Sequence, residues 1–198
     1  MSIVTTPPTA LIPAIHPYSW SESTLGGPHR AFIALSADLC MGLHALSHQG
    51  HDLVMPGRPL SLHDVGELGL SVHRAWDEAA HRIIDFARTE EGIGVRTRRI
   101  QKHIGIRLPG LQVSTYGAPP GSWLAHPYPF ELLHEHIQGL LGCEPHYLLP
   151  REDLLIAFPA GHPRLAEAQR WARRQGPTLP LAALRFDGGF PARVHPDG

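Results

Sequence analysis

The chain has 198 residues, 42% of them hydrophobic and 18% charged, with a formal net charge of -1. That length suits one domain with a sizeable core. Near-zero charge argues against a general nucleic-acid or anionic-membrane binder, since each needs a large positive field.

Gly and Pro, 20 of each, exceed average usage but stay below the range of low-complexity disorder, so a folded protein with many turns is expected. Of the 17 basic residues only Lys102 is a lysine. Arginine with abundant Ala, Gly and Pro fits a GC-rich coding bias, a bland source for part of the 15 histidines. Cys40 and Cys143 are too few for a disulfide framework and read as small buried apolar residues. No Lys or Arg occurs before Pro17, and Pro7, Pro8, Pro13 and Pro17 break every apolar run. Neither a signal peptide nor a membrane span is expected, and the cytoplasm is the default location.

In chain order, residues 1–29 read as an irregular Pro-rich lead-in without helix or central strand, dispensable for folding apart from Trp20. Arg30 to Leu46 is ambiguous: Leu39, Met41 and Leu43 alternate as in a strand, while Phe32, Leu35, Leu39, Leu43 and Leu46 also fit a helix. A hairpin with Leu53-Val54-Met55 is the preferred reading. A short helix from Ser61 to Leu68 is capped by Ser61. The clearest helix runs from Val72 to Arg88, with Ser71 as N-cap, Gly92 as stop, and a core-facing stripe that includes Trp76 and Phe86. Strands are expected in Ile93–Ile100 and Ile104–Tyr116, and a loop over Gly117–Gly121.

Further helices span Pro129–Leu141 and Pro163–Gln175, with Gly142 and Gly176 beyond their ends. Between them, Tyr147–Leu149 and Asp153–Phe158 form a hairpin or bent strand pair. Leu179 to Phe186 adds a strand or a helical turn, and residues 187–198 form a frayed tail. This order predicts an α+β fold: one domain over 30–186, a largely antiparallel sheet, and the main helices packed on one face.

Four groups of residues could carry chemistry. His44, His48 and His51, with Asp38 and Asp52 close by, have the side chains of a zinc site but lack the Glu that makes the metalloprotease helix specific; a His-rich surface loop is the competing reading. His73, Asp77 and His81 step along the outer face of the Val72–Arg88 helix as a solvated ridge. His134 falls within an apolar helix face, beside Glu131 and Glu135, and therefore needs a partner for its ring nitrogens. Arg96, Arg98, Arg99, Lys102 and Arg107 form a basic segment with no acid between Gly92 and Gln112. Its charges could be solvated, paired internally with Glu131, Glu135, Glu144, Glu152 and Asp153, or set against an acidic partner. Nucleic acid is disfavoured, because no aromatic residue precedes Tyr116 in this segment. No nucleophile elbow, phosphate loop or dinucleotide fingerprint occurs.

Two stretches resemble the YtpQ-like group of uncharacterised bacterial proteins. One is Leu68-Gly69-Leu70-Ser71 through Ala75-Trp76-Asp77 and Ala79-Ala80. The other is Tyr147-Leu148-Leu149-Pro150-Arg151-Glu152-Asp153-Leu154-Leu155-Ile156. The sequence departs from that group in having His81-Arg82-Ile83 where an Asn-Leu pair is usual, and in placing Glu152 between Arg151 and Asp153. The resemblance implies an α+β fold and no reaction; Arg151 and Asp153 fit a turn as readily as a function.

The expected protein is therefore a cytoplasmic, non-enzymatic domain without a cofactor. It would bind another macromolecule, an acidic protein in the first instance, through Arg96, Arg98, Arg99 and Arg107. The alternative is a zinc-binding protein or metal-dependent hydrolase built on His44, His48 and His51.

Overall fold

Proline cannot donate to a sheet ladder, yet Pro13 and Pro17 both lie within a strand. The computed structural model describes residues 10–22, 29–49, 53–100, 110–175 and 182–194. In it β1 (Leu11–Pro17) runs antiparallel to β3 (Leu39–Gln49), from Leu11 opposite Ala45 to Pro17 opposite Leu39. The ladder bonds fall on even positions of β1: the Ala10 carbonyl accepts from Leu46 N, and Tyr18 N donates to the Asp38 carbonyl. Pro13 and Pro17 are odd, so their nitrogens face away from β3, and β1 is an outer strand of its sheet. Leu11, Ile12 and Ile15 are buried in the main core. The segment expected to be an irregular lead-in thus supplies a core strand, followed by the one-turn helix α1 (Ser19–Glu22).

On the other side of β3 lie β2 (Phe32–Ala34) and β4 (Leu53–Pro59). The ambiguous Arg30–Leu46 run therefore resolves as strand, with Leu39, Met41 and Leu43 in the main core at period two and Cys40, Gly42 and His44 buried between them. Helix α2 (Leu62–Glu67) opens on a capping box. Asp64 N donates to Ser61 Oγ at 3.1 Å and Ser61 N donates back to Asp64 Oδ2 at 2.7 Å.

Helix α3 (Val72–Ala87) starts at the Ser71 cap and buries Ala75, Trp76, Ala79, Ile83 and Ala87. Phe86, expected in the core, is 41% exposed. It sits in the last turn, at the border of the stripe, where the chain leaves the helix for the small hairpin of β5 (Arg88–Thr89) and β6 (Gly92–Ile93). Gly92 belongs to that hairpin, at φ +124°, rather than to the helix end.

The larger sheet comprises β7 (Val95–Arg99), β8 (Leu111–Thr115), β9 (Pro145–Arg151), β10 (Leu154–Pro159), β11 (Leu184–Asp187) and β12 (Phe190–Arg193). Its order is β12-β11-β9-β10-β8-β7, antiparallel throughout. The expected frayed tail is therefore strand as far as Arg193. Helices α4 (Pro120–Leu124), where a loop was expected, and α5 (Pro127–Leu141) add buried side chains to the main core. Gly142, at φ +69°, closes α5 in the left-handed conformation.

The α+β class stands, but the helices divide between two faces. Tyr147, Leu149, Leu155 and Ala157 point into the main core, whereas Leu148, Ile156 and Phe158 form a second cluster with Ala168 and Ala172 of α6 (Leu165–Ala172). The uninterrupted apolar runs of β9 and β10 are the mark of strands covered on both faces. Cys40 is buried, and that burial raises its thiol to about 11. Cys143 is exposed, against expectation, and both thiols are free. Among the described residues no helix is long and apolar enough to cross a membrane.

Candidate functional site

Strand β7 ends the larger sheet and carries three of the four arginines of interest. Its register with β8 sets Arg96 opposite Ser114, Arg98 opposite Gln112 and Arg99 opposite Leu111. Alternation puts Arg96 and Arg98 on the α6 side of the sheet and Arg99 on the main-core side. All three are exposed. The Arg96 guanidinium lies 4.7 Å above the Tyr116 ring, and Arg98 Nε donates to Gln112 Oε1 at 2.8 Å. Gly94 admits this arrangement: a Cβ there would stand 2.5 Å from the Tyr116 ring. Arg107 lies outside the described residues, as does Lys102.

Among the described residues, no carboxylate pairs with Arg96, Arg98 or Arg99. The acids expected to neutralise them are elsewhere. Asp153 takes a two-point contact from Arg151 at 2.8 and 2.9 Å across the β9–β10 turn. Glu144 accepts from Gln138 at 2.9 Å and lies 3.6 Å from His134 Nε2. Burial raises the Glu152 carboxyl to about 8, and it packs over Gly121. Internal ion pairing therefore does not account for the basic strand.

Hollows flank β7 on both faces. On the α6 side a groove of about 270 Å³ is lined by Arg98, Gln112, Arg151, Ile156, Trp171 and Gln175, among others. On the helical side a slot of about 110 Å³ lies between Ile93, Val95, Trp123, Leu132, Leu133 and His136. Trp123 is fully buried, and its indole N–H has no acceptor among the described residues. Neither hollow was legible in the sequence, because each joins segments far apart in the chain.

Of the three candidate metal ligands, the structure places the side chain of His44. His48 pairs with Val54 in the β3–β4 ladder, and its side chain and all of His51 lie outside the described residues. His44 Nδ1 lies 2.9 Å from the Gly57 carbonyl, and its Nε2 lies 2.9 Å from His16 Nε2. A carbonyl only accepts, so His44 carries its proton on Nδ1 and receives its second bond from His16 Nε2–H. Trp20 stacks on His16 with ring centroids 4.1 Å apart, and Arg30 lies 4.2 Å above the other partner of this stack, the Trp20 ring. Burial holds His16 down at about 3 and lowers His44 as well, the charge of Arg30 adding to both. This is a neutral pair, with His44 buried and His16 half-buried. Asp38, expected near His44, instead pairs with Arg193 at 3.3 Å. Among the described residues no three His, Cys, Asp or Glu side chains converge as metal ligands. His16 escaped sequence reading because its partner stands 28 positions away, across a ladder hidden by the prolines.

Three further histidines have structural partners. Asp77 accepts from His126 Nε2 at 3.2 Å, tying α3 to the start of α5, while His81 packs against Tyr128. His134, buried as its place on the apolar face predicts, bonds the Tyr147 hydroxyl at 3.0 Å and stacks on Phe186 at 4.3 Å. Burial lowers its pKa against the opposing pull of Glu144 and Glu135.

Comparison with models of known families, with curated proteins and with solved structures finds no match.

Proposed function

We propose that the chain is a non-enzymatic binding domain that holds an acidic protein partner on strand β7. The observation that carries this reading is the set of exposed arginines, Arg96, Arg98 and Arg99, with no carboxylate partner among the described residues. Most other ion pairs in the fold are local, as in Arg58–Asp64, Arg74–Glu78 and Arg185–Asp187. The β7 charges are thus available, and the groove beside Arg98 adds Trp171 and two amide side chains. Arginine suits this task, since its planar fork matches a carboxylate. Arg107 extends the basic segment by sequence alone. The resemblance to the YtpQ-like group is a proposal on the same footing. Its two stretches fall on the α2–α3 connection with α3 and on the β9–β10 hairpin, and it adds no reaction.

Binding of labelled polyglutamate and labelled oligothymidylate to the wild type and to the double variant R96E/R98E tests the reading. Polyglutamate should bind and weaken as salt rises, because exposed charges are screened beyond about 10 Å at 0.1 M. The double variant should lose that binding and keep its melting temperature. A preference for oligothymidylate, or equal binding by the variant, would overturn it.

A further inference from the structure

Among the described residues, one long edge of strand β7 is unpaired. Its ladder bonds to β8 use even residues: Gly94 O accepts from Tyr116 N, and Ile100 N donates to Gly110 O. The backbone N–H and C=O groups of Val95, Thr97 and Arg99 therefore point outward. Among the described residues no backbone bond reaches them from that side. An unpaired strand edge is a template for another extended chain.

The two faces beside this edge ask for different chemistry. On the helical face, the slot beside Val95 has aliphatic walls from Ile93, Leu132 and Leu133. On the opposite face stand Arg96 and Arg98. Charge also varies along the strand, because Glu90 and Glu91 border the hollow at its Val95 end, while Arg98 and Arg99 occupy the other. An acidic segment is repelled at one end and held at the other, which fixes where its apolar residue must lie.

We propose that β7 takes an extended segment of its acidic partner as an added strand, with one apolar side chain in the slot and two acids over Arg96 and Arg98. The inference rests on the binding function proposed above and gives it a mode and a sequence pattern. A residue opposite Val95 shares its face and enters the slot. The next residue along turns to Arg96, and the third from the anchor turns to Arg98. The segment therefore reads apolar-acid-any-acid in one strand direction and the reverse in the other.

A labelled peptide, Gly-Ser-Thr-Leu-Asp-Thr-Glu-Thr-Ser-Gly, and its reversed sequence provide the probe, read by fluorescence anisotropy. One of the two should bind. Replacing its Leu by Gly should weaken binding about tenfold or more, the scale of one buried aliphatic side chain. In the reversed peptide, which runs antiparallel to β7, the Leu and the Thr two residues before it stand opposite Val95 and Thr97 and donate to them, whereas in the forward, parallel peptide the staggered bonds come from the Asp and Glu N–H groups. Methylating the donating pair of amide nitrogens blocks the bonds to β7, and methylating the other pair does not, because those N–H groups face away. The first peptide should fail and the second should bind.

On the protein, Thr97→Pro removes an outward N–H and leaves the β8 ladder intact, as Pro13 and Pro17 do on β1. It should weaken binding about tenfold, the order of one lost hydrogen bond plus the strand distortion, with a cooperative melt retained. The methylated peptides test the same bonds on the wild type, so the result does not depend on that variant folding. Equal binding by both methylated peptides, with loss in R96E/R98E, means acid capture without strand addition: this inference falls and the binding function survives. Failure of both the peptides and polyglutamate removes both.

Discussion

The neutral His16–His44 pair makes stability depend on pH in a calculable way. Burial holds His16 at about 3 in the folded chain, against about 6.5 when unfolded. The unfolded state therefore binds more protons as the pH falls below 6.5, and folding is weakened. His16 contributes its full stabilisation above 6.5 and loses it progressively down to about 3. Between pH 7.5 and pH 5 the loss from His16 alone is about 2 kcal/mol, from 1.36 kcal/mol per unit over about 1.5 units. His44 adds in the same direction, since its shift is also downward. Urea denaturation of the wild type and of His16→Gln across this range is the assay. Glutamine keeps a donor near the His44 Nε2 and does not titrate, so its curve should be flatter by about that amount. Every other titrating group is common to both proteins. Parallel curves would refute the reasoning and mean that the pair is hydrated and free to take up a proton.

Trp76 is 8% exposed and donates from Nε1 to the Ala125 carbonyl at 2.8 Å; Trp76→Ala should cost about 3–5 kcal/mol, and Trp76→Phe about 1–3 kcal/mol for the carbonyl left without its donor, both read by chemical denaturation. Deleting residues 1–18 removes β1 and its buried Leu11, Ile12 and Ile15, so the truncated chain should lose its cooperative melt; a melt like that of the full chain would show that β1 is dispensable.

The local signals were reliable where one segment carried the whole cause. Ser61 with Asp64, Ser71 before the apolar stripe, and Gly142 after α5 mark helix ends through bonds and dihedrals made within a few residues. Leu39, Met41 and Leu43 likewise show the strand period. The arginines of β7 were legible as a basic segment, and their division between two faces follows from alternation alone. Proline content alone misleads in β1, because the effect of a proline on a strand depends on its parity: Pro13 and Pro17 both stand on outward positions, where a missing N–H breaks no ladder bond.

What the sequence by itself determined is therefore the class of fold, the main helices and hairpins, and the concentration of unopposed arginine near residue 98. Tertiary structure alone decided which side chains meet. It set His16 against His44, left the β7 arginines without acid partners among the described residues, placed α6 on the far face of the sheet, and opened the slot between Val95 and Trp123. Helix caps and alternation are short-range consequences of backbone geometry. Pairings across ladders and between layers depend on how the whole chain closes, which no window of neighbouring residues contains.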